Sequence, residues 1–152
     1  MEHQSAAARL SNAEEAKSLL AYSSGYAVLS TLSSQVDGYP NGALVGFAHD
    51  ERGLPVFCFS AMSSHTKDLC ASDAVATTGA KAALCVTAKG FKGAADGRVT
   101  LIGDVVRCSK ADVDALGLRE TYKAKHPGAF WADFGDFQYY RMAELRQVNF
   151  VG

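Results

Sequence analysis

Residues Val56 to Leu69 read VFCFSAMSSHTKDL. The apolar run Val56-Phe57-Cys58-Phe59 predicts a strand that ends at Ser60. Ala61 to Ser64 form a small, hydroxyl-rich turn, and a helix is expected from His65 to Ala71. A strand feeding a helix start in this way gathers hydroxyls, an imidazole and an ammonium within one turn. Unpaired N–H groups and a partial positive charge at a helix start suit an anion. Ser60, Ser63, Thr66 and Lys67 would then be further donors. The same residues also fit a plainer reading, in which Ser63 or Ser64 caps the helix and Lys67 points into water.

Working outward, Tyr26 to Leu32 (YAVLSTL) reads as a strand. The turn-rich Val36 to Gly42 returns the chain as a partner strand, Ala43 to Ala48. Glu51-Arg52-Gly53 turns it again into Leu54 to Phe59. Beyond the helix, Ala82 to Ala88 is an apolar strand, and the loop Lys89 to Gly97 leads to Arg98 to Arg107. There Val99, Leu101, Gly103 and Val105 share a face. Ser109 to Asp112 is a capping box opening one helix to about Lys125, stopped by His126-Pro127-Gly128. Phe137 to Phe150 alternates aromatic and polar residues as a long final strand. At the other end, Ser11 to Glu14 is a second capping box, with Ala16, Leu19 and Leu20 on one helical face. Six strands joined by short connections predict a mainly β, antiparallel barrel with flanking helices. Residues 1–24 form a helical lead-in and residues 25–152 the barrel, together one domain.

The 152 residues are 48% hydrophobic and 20% charged, the balance of a soluble globular protein. A net charge of -1 without a basic block disfavours a nucleic-acid surface. No apolar stretch is long enough to predict a membrane span. The start of the chain lacks the apolar core of a secretory signal. Cys58, Cys70, Cys85 and Cys108 form no ligand spacing, and the histidines have no i, i+4 pair, so no metal site is expected. Cys58 and Cys85, inside apolar runs, read as small buried thiols of a reducing compartment. The expected location is the cytoplasm, or an organelle stroma where a transit peptide has been removed.

Several motifs arrive in order: Tyr39-Pro40-Asn41-Gly42, the Ser60 to Leu69 element, Arg98 to Gly103, Tyr122 to Pro127, and Phe134-Gly135-Asp136-Phe137 through Arg141. This series resembles the pyridoxamine-5'-phosphate-oxidase-like family of FMN-binding split barrels, and most the haem-utilisation (HugZ/HutZ-type) branch. The resemblance implies a six-stranded split barrel, a twofold homodimer, and a small-molecule ligand at the subunit interface. In FMN-binding members the strand–turn–helix element holds the flavin phosphate, a role that falls here on Ser60, Ser63, His65, Thr66 and Lys67. In the haem-binding branch the cofactor is haem, with Arg98 as the candidate partner for propionates and Asp136 as the acid near the iron. Haem handling or oxidative haem degradation, with an external electron donor, is the implied activity. An FMN-dependent oxidoreductase and a non-catalytic dimeric binding protein are the alternatives. Haem-degrading members take an iron ligand from a histidine after the final strand, and here no histidine follows His126.

The residues themselves also carry plainer roles. His65 fits an ordinary position in a first helical turn. Asp136 fits a turn closing onto the last strand, and Arg98 an edge charge protecting a sheet. Arg141, flanked by aromatics, fits an interface or stacking residue. Phe130, Trp131, Phe134 and Phe137 fit a core or dimer interface, or a surface for a planar ring.

Overall fold

The structure is a computed structural model and describes residues 14–152. Seven strands form one antiparallel sheet: β1 (Tyr26–Leu32), β2 (Pro40–Gly46), β3 (Ala48–His49), β4 (Pro55–Ser60), β5 (Ala80–Thr87), β6 (Arg98–Arg107) and β7 (Phe137–Val151). Helix α1, through residues 14–22, precedes them, and the expected cap at Ser11 to Ala13 lies outside the described residues. Helix α2 (Ser64–Cys70) follows β4; α3 (Lys110–Leu116), α4 (Leu118–Lys125) and a 3-10 turn (Phe130–Asp133) lie between β6 and β7.

The spatial order is β2-β1-β5-β6-β7-β4-β3. Its two ends, β2 and β3, are consecutive in the chain, with Phe47 alone between them. The sheet therefore curls until its edges meet at one kinked segment. This is the seventh strand: the expected Ala43 to Ala48 strand breaks at Phe47 because its first part pairs with β1 and its last with β4. The kink is held from both sides. The Phe47 N–H donates to the Gly25 carbonyl at 2.8 Å, and its carbonyl accepts from His126 Nε2 at 2.8 Å. Since that oxygen can only accept, Nε2 carries the proton. The His126 ring stacks on Tyr122, 4.7 Å between centroids. This buried histidine caps the end of α4 and ties it to the barrel.

Strand β4 is buried along both faces, which is why it reads as an unbroken apolar run. Phe57 and Phe59 enter the barrel core with Leu29, Leu84, Val99, Tyr140 and Met142. Val56 and Cys58 point the other way, into a second cluster with Leu118, Tyr122, Ala129 and Tyr139. Its long-range partner is β7, with Phe57 opposite Tyr140 and Ser60 opposite Phe137. On β6, Val99, Leu101, Gly103 and Val105 all face inward as expected. A Cβ on Gly103 would run into the Glu144 carbonyl oxygen.

The expected single helix from Lys110 to Lys125 is two helices. Gly117 takes φ 62 and ψ 37, a left-handed C-cap that glycine adopts without steric cost, and α4 starts beside it. Ser109 accepts from the Asp112 N–H, as its capping box requires. Cys85 departs from the buried-thiol reading. The two-residue period of β5 sends Leu84 and Val86 inward and leaves Cys85 exposed, opposite Val28. Cys58 is buried as expected, and burial pushes its thiol up to about 11.

Candidate functional site

The strand–turn–helix element and the Phe134 to Phe137 turn form one unit. The Ser60 hydroxyl donates to the Asp136 carboxylate at 2.9 Å and accepts from the Met62 N–H at 3.1 Å. The Ala61 N–H donates to the Asp136 carbonyl at 2.7 Å. Asp136 thus closes the last turn onto β4. Ser63 occupies the N-cap position of α2, but its side chain makes no capping bond. Helix α2 is only seven residues long and is fixed from its other face. Asp68 is buried there, accepting from Thr31 Oγ1 (2.7 Å), Asn41 Nδ2 (2.9 Å), and both the N–H and hydroxyl of Ser34 (2.8 Å each). Burial alone would raise its pKa, but these donors outweigh it and hold the carboxyl down at about 2. Asp68 welds α2 to the β1–β2 hairpin.

The Ser60–Asp136 bond stands between two clefts. Ser60, Ser63 and His65 line the first, a groove of about 180 Å³ walled by aromatic and aliphatic side chains that include Tyr26, Leu44, Phe59 and Trp131. His65 packs edge-on against Phe59 at 4.5 Å between centroids. Its Nε2 is buried and has no hydrogen-bond partner. Burial lowers the imidazole pKa below 6.5 against the opposing charge of Asp68, so the ring is neutral at pH 7. Among the described residues no lysine or arginine lines this groove. Thr66, Lys67 and Asp136 line the second cleft instead, about 280 Å³, with Cys70, Arg107 and Tyr140. Arg98 lines neither. Its guanidinium donates to the Ala94 carbonyl at 2.8 Å and lies 6.0 Å from the Phe91 ring centre. The five residues expected together on a phosphate, Ser60, Ser63, His65, Thr66 and Lys67, divide between the two clefts, and of the two expected at haem, Asp136 joins the second cleft and Arg98 neither.

Tyr26, Leu44, Asp68, Arg107 and Cys70 escaped the sequence reading as site residues. Asp68 carried a weak signal, an acid directly before Leu69 and four residues after Ser64 in a short helix. Tyr26 (49% exposed) and Leu44 (73% exposed) lie on the outer face of β1 and β2 with Val28 and Leu32. This apolar face continues the wall of the groove. Among the described residues no cluster of His, Cys, Asp or Glu could hold a metal, and no helix is long and apolar enough to cross a membrane.

Residues 7–152 match the family model described as CREG, beta-barrel. The chain belongs to the CREG β-barrel family. A member-like relative is the non-canonical heme oxygenase HOZ, chloroplastic, of Arabidopsis thaliana, 41% identical over 149 residues. The match takes in 98% of this chain but 43% of that protein, so the chain spans less than half the length of its relative. Among solved structures, a heme binding protein from Mycobacterium smegmatis superposes with a TM-score of 0.76 at 25% identity, over 93% of this chain and 54% of the other. HutZ of Vibrio cholerae, a heme storage protein, shares the fold with a TM-score of 0.60 at 13% identity, over 92% of each chain. The CREG β-barrel placement agrees with the mainly β split-barrel expectation, and the likeness to the plant heme oxygenase agrees with the haem-utilisation resemblance.

Proposed function

We propose that this CREG-family barrel is a haem-handling protein, with oxidative haem degradation as its activity. The observation that carries this reading is the groove beside His65. It offers aromatic walls, a neutral imidazole with an unpartnered Nε2, and no cation. That chemistry fits a flat, largely apolar macrocycle whose carboxylates reach solvent. It fits a dianionic flavin phosphate poorly, because charge-assisted donors are what such a phosphate needs. FMN is therefore the second reading, although Ser60, Ser63 and His65 share the groove. The plant relative, a non-canonical heme oxygenase, supports the first.

A groove of about 180 Å³ is smaller than the ~300–1,000 Å³ of ordinary ligand pockets. A macrocycle would lie across it, against a second surface. We place that surface on a second copy of this chain, docked through the exposed apolar face of β1 and β2. Tyr26 and Leu44 belong to both the groove and that face, so ligand site and dimer contact are continuous.

When bound, haem supplies the oxygen chemistry. His65 would be the residue this chain turns to the iron, and Tyr26, Phe59 and Trp131 would shield the bound ring from water. Asp136 acts through Ser60, as a positioning residue for the groove's rim. Thr66 and Lys67 face the second cleft, and Arg98 would reach a propionate only by releasing its loop carbonyls. The four cysteines are free, which suits a reducing compartment; the chloroplastic relative points to an organelle stroma. The test is parallel titration with haem and FMN. Saturating Soret absorbance that His65→Ala shifts or abolishes supports the proposal. Quenching of FMN fluorescence with no Soret band would replace it with the flavin reading.

A further inference from the structure

The second cleft has chemistry that the haem reading leaves unused. Cys70 closes α2 with an exposed thiol. Its Sγ lies 3.4 Å from the Tyr140 hydroxyl and 3.9 Å from Arg107 Nη1. A hydroxyl and a guanidinium therefore flank the one atom of this cleft that can attack a disulfide. Tyr140 remains a protonated donor, since burial pushes its pKa upward. Lys67 lines the same cleft, and neither it nor Arg107 has a carboxylate partner among the described residues. The one acid on the wall, Asp136, is engaged by Ser60. A further group points to a ligand. Thr66 is only 3% exposed, lines the cleft, and its Oγ1 has no hydrogen-bond partner. Cys85 has the same exposure class but lies on the outer face of β5, with no charged neighbour across the strand pair.

We propose that Cys70 is a thiol-exchange site for a small anionic disulfide, of the glutathione type, docked between Lys67, Arg107 and Thr66. The cations hold a carboxylate of the incoming molecule, and the Thr66 hydroxyl takes a polar group of its backbone. The Cys70 thiolate attacks one sulfur of the disulfide. A new S–S bond forms at Cys70 and the original one breaks. The departing thiolate leaves with the electron pair and takes a proton from water. Cys70 is oxidised, the departing half is reduced, and excess free thiol reverses the step. The mixed disulfide fills the cleft next to the Ser60–Asp136 bond, so the modification reports the thiol state of the compartment at the rim of the groove.

The test is a time course of the full chain with glutathione disulfide, read by intact mass and peptide mapping. Cys70 is expected to react roughly tenfold faster than Cys85. Arg107→Gln should slow Cys70 roughly tenfold and leave Cys85 unchanged. Lys67→Gln, on an exposed helix position, gives a second variant that tests docking without touching the thiol, and should also slow Cys70 alone. Cystamine, a cationic disulfide, should show no preference for Cys70. Equal rates at Cys70 and Cys85, or variants that react like the native chain, would overturn the proposal. None of these readouts depends on haem, and the slowing of Cys70 by Arg107→Gln and Lys67→Gln compares that thiol with itself, so it holds whether or not a second copy covers Cys85 on the outer face.

Discussion

The Ser60 hydroxyl and the Asp136 carboxylate, 2.9 Å apart, form the partition between two clefts of opposite character. One side is apolar with a neutral imidazole; the other carries two cations and a thiol. Ser60→Ala should cost about 1 kcal/mol of stability, the net worth of an ordinary hydrogen bond. It should also shift the Soret maximum of bound haem, because the turn before α2 loses its tie to β7. Chemical denaturation and an absorbance scan on the same preparation check both. A variant with native stability and an unmoved spectrum would remove Asp136 from any role in the site.

Asp68 is the residue whose loss should hurt most outside the apolar core. Asp68→Ala strands donors on Thr31, Asn41 and Ser34, and a buried group left unpaired costs about 1–3 kcal/mol. The pH dependence follows from the same network. The carboxyl falls from 3.8 to about 2 on folding, so its stabilisation is full above 3.8 and is lost as pH drops to about 2. The difference amounts to roughly 2 kcal/mol. Urea midpoints at pH 5 and pH 2.5 should therefore separate for the native chain more than for Asp68→Asn.

His65 has the opposite origin of pH sensitivity. Its folded pKa lies below 6.5 because burial disfavours the cation. Stability from the neutral ring is full above 6.5 and declines as pH falls through that value toward the lower folded one, where the unfolded chain binds the proton first. Haem affinity should hold over that range and decline only at lower pH, as the folded ring itself takes up a proton, since a protonated imidazole cannot ligate iron. Thermal melts and haem titrations between pH 7.5 and pH 5 should lose this component in His65→Phe.

The outer face of β1 and β2 predicts the oligomeric state. Leu44→Glu puts a charge in the middle of that apolar face and at the groove wall. Sedimentation should give a dimer for the native chain and a monomer for the variant, with haem affinity reduced in parallel. A native monomer with full haem affinity would refute the shared-interface proposal.

His126→Ala removes the donor to the Phe47 carbonyl at the kink. The stranded carbonyl should cost about 1–3 kcal/mol, before the lost stacking on Tyr122 is counted. Circular dichroism melts measure it directly.

Strand positions were legible in the sequence because alternation and apolar runs depend on burial alone, as β1 and β6 demonstrate. The break at Phe47 was not, because it depends on which neighbour each half of the segment finds. The helix break at Gly117 was visible as a glycine but not as a left-handed cap. At the site, Ser60, Ser63 and His65 were legible as a group because they are close in sequence. Their separation from Thr66 and Lys67 was not, because helix rotation turns adjacent residues to different clefts. Arg107 and Tyr140 reach Cys70 only through the β6–β7 pairing, a contact between residues that no local motif records.

Strand β4 finds its long partner only in β7, nearly eighty positions later in the chain; its other neighbour, β3, is two residues long. During synthesis on the ribosome, Val56-Phe57-Cys58-Phe59 must therefore wait with one hydrogen-bonding edge open until residues near Arg141 emerge. An apolar strand with an unpaired edge is the feature that invites association between chains. The newborn protein thus passes through an interval in which a holding chaperone, or the speed of translation between β4 and β7, governs its yield.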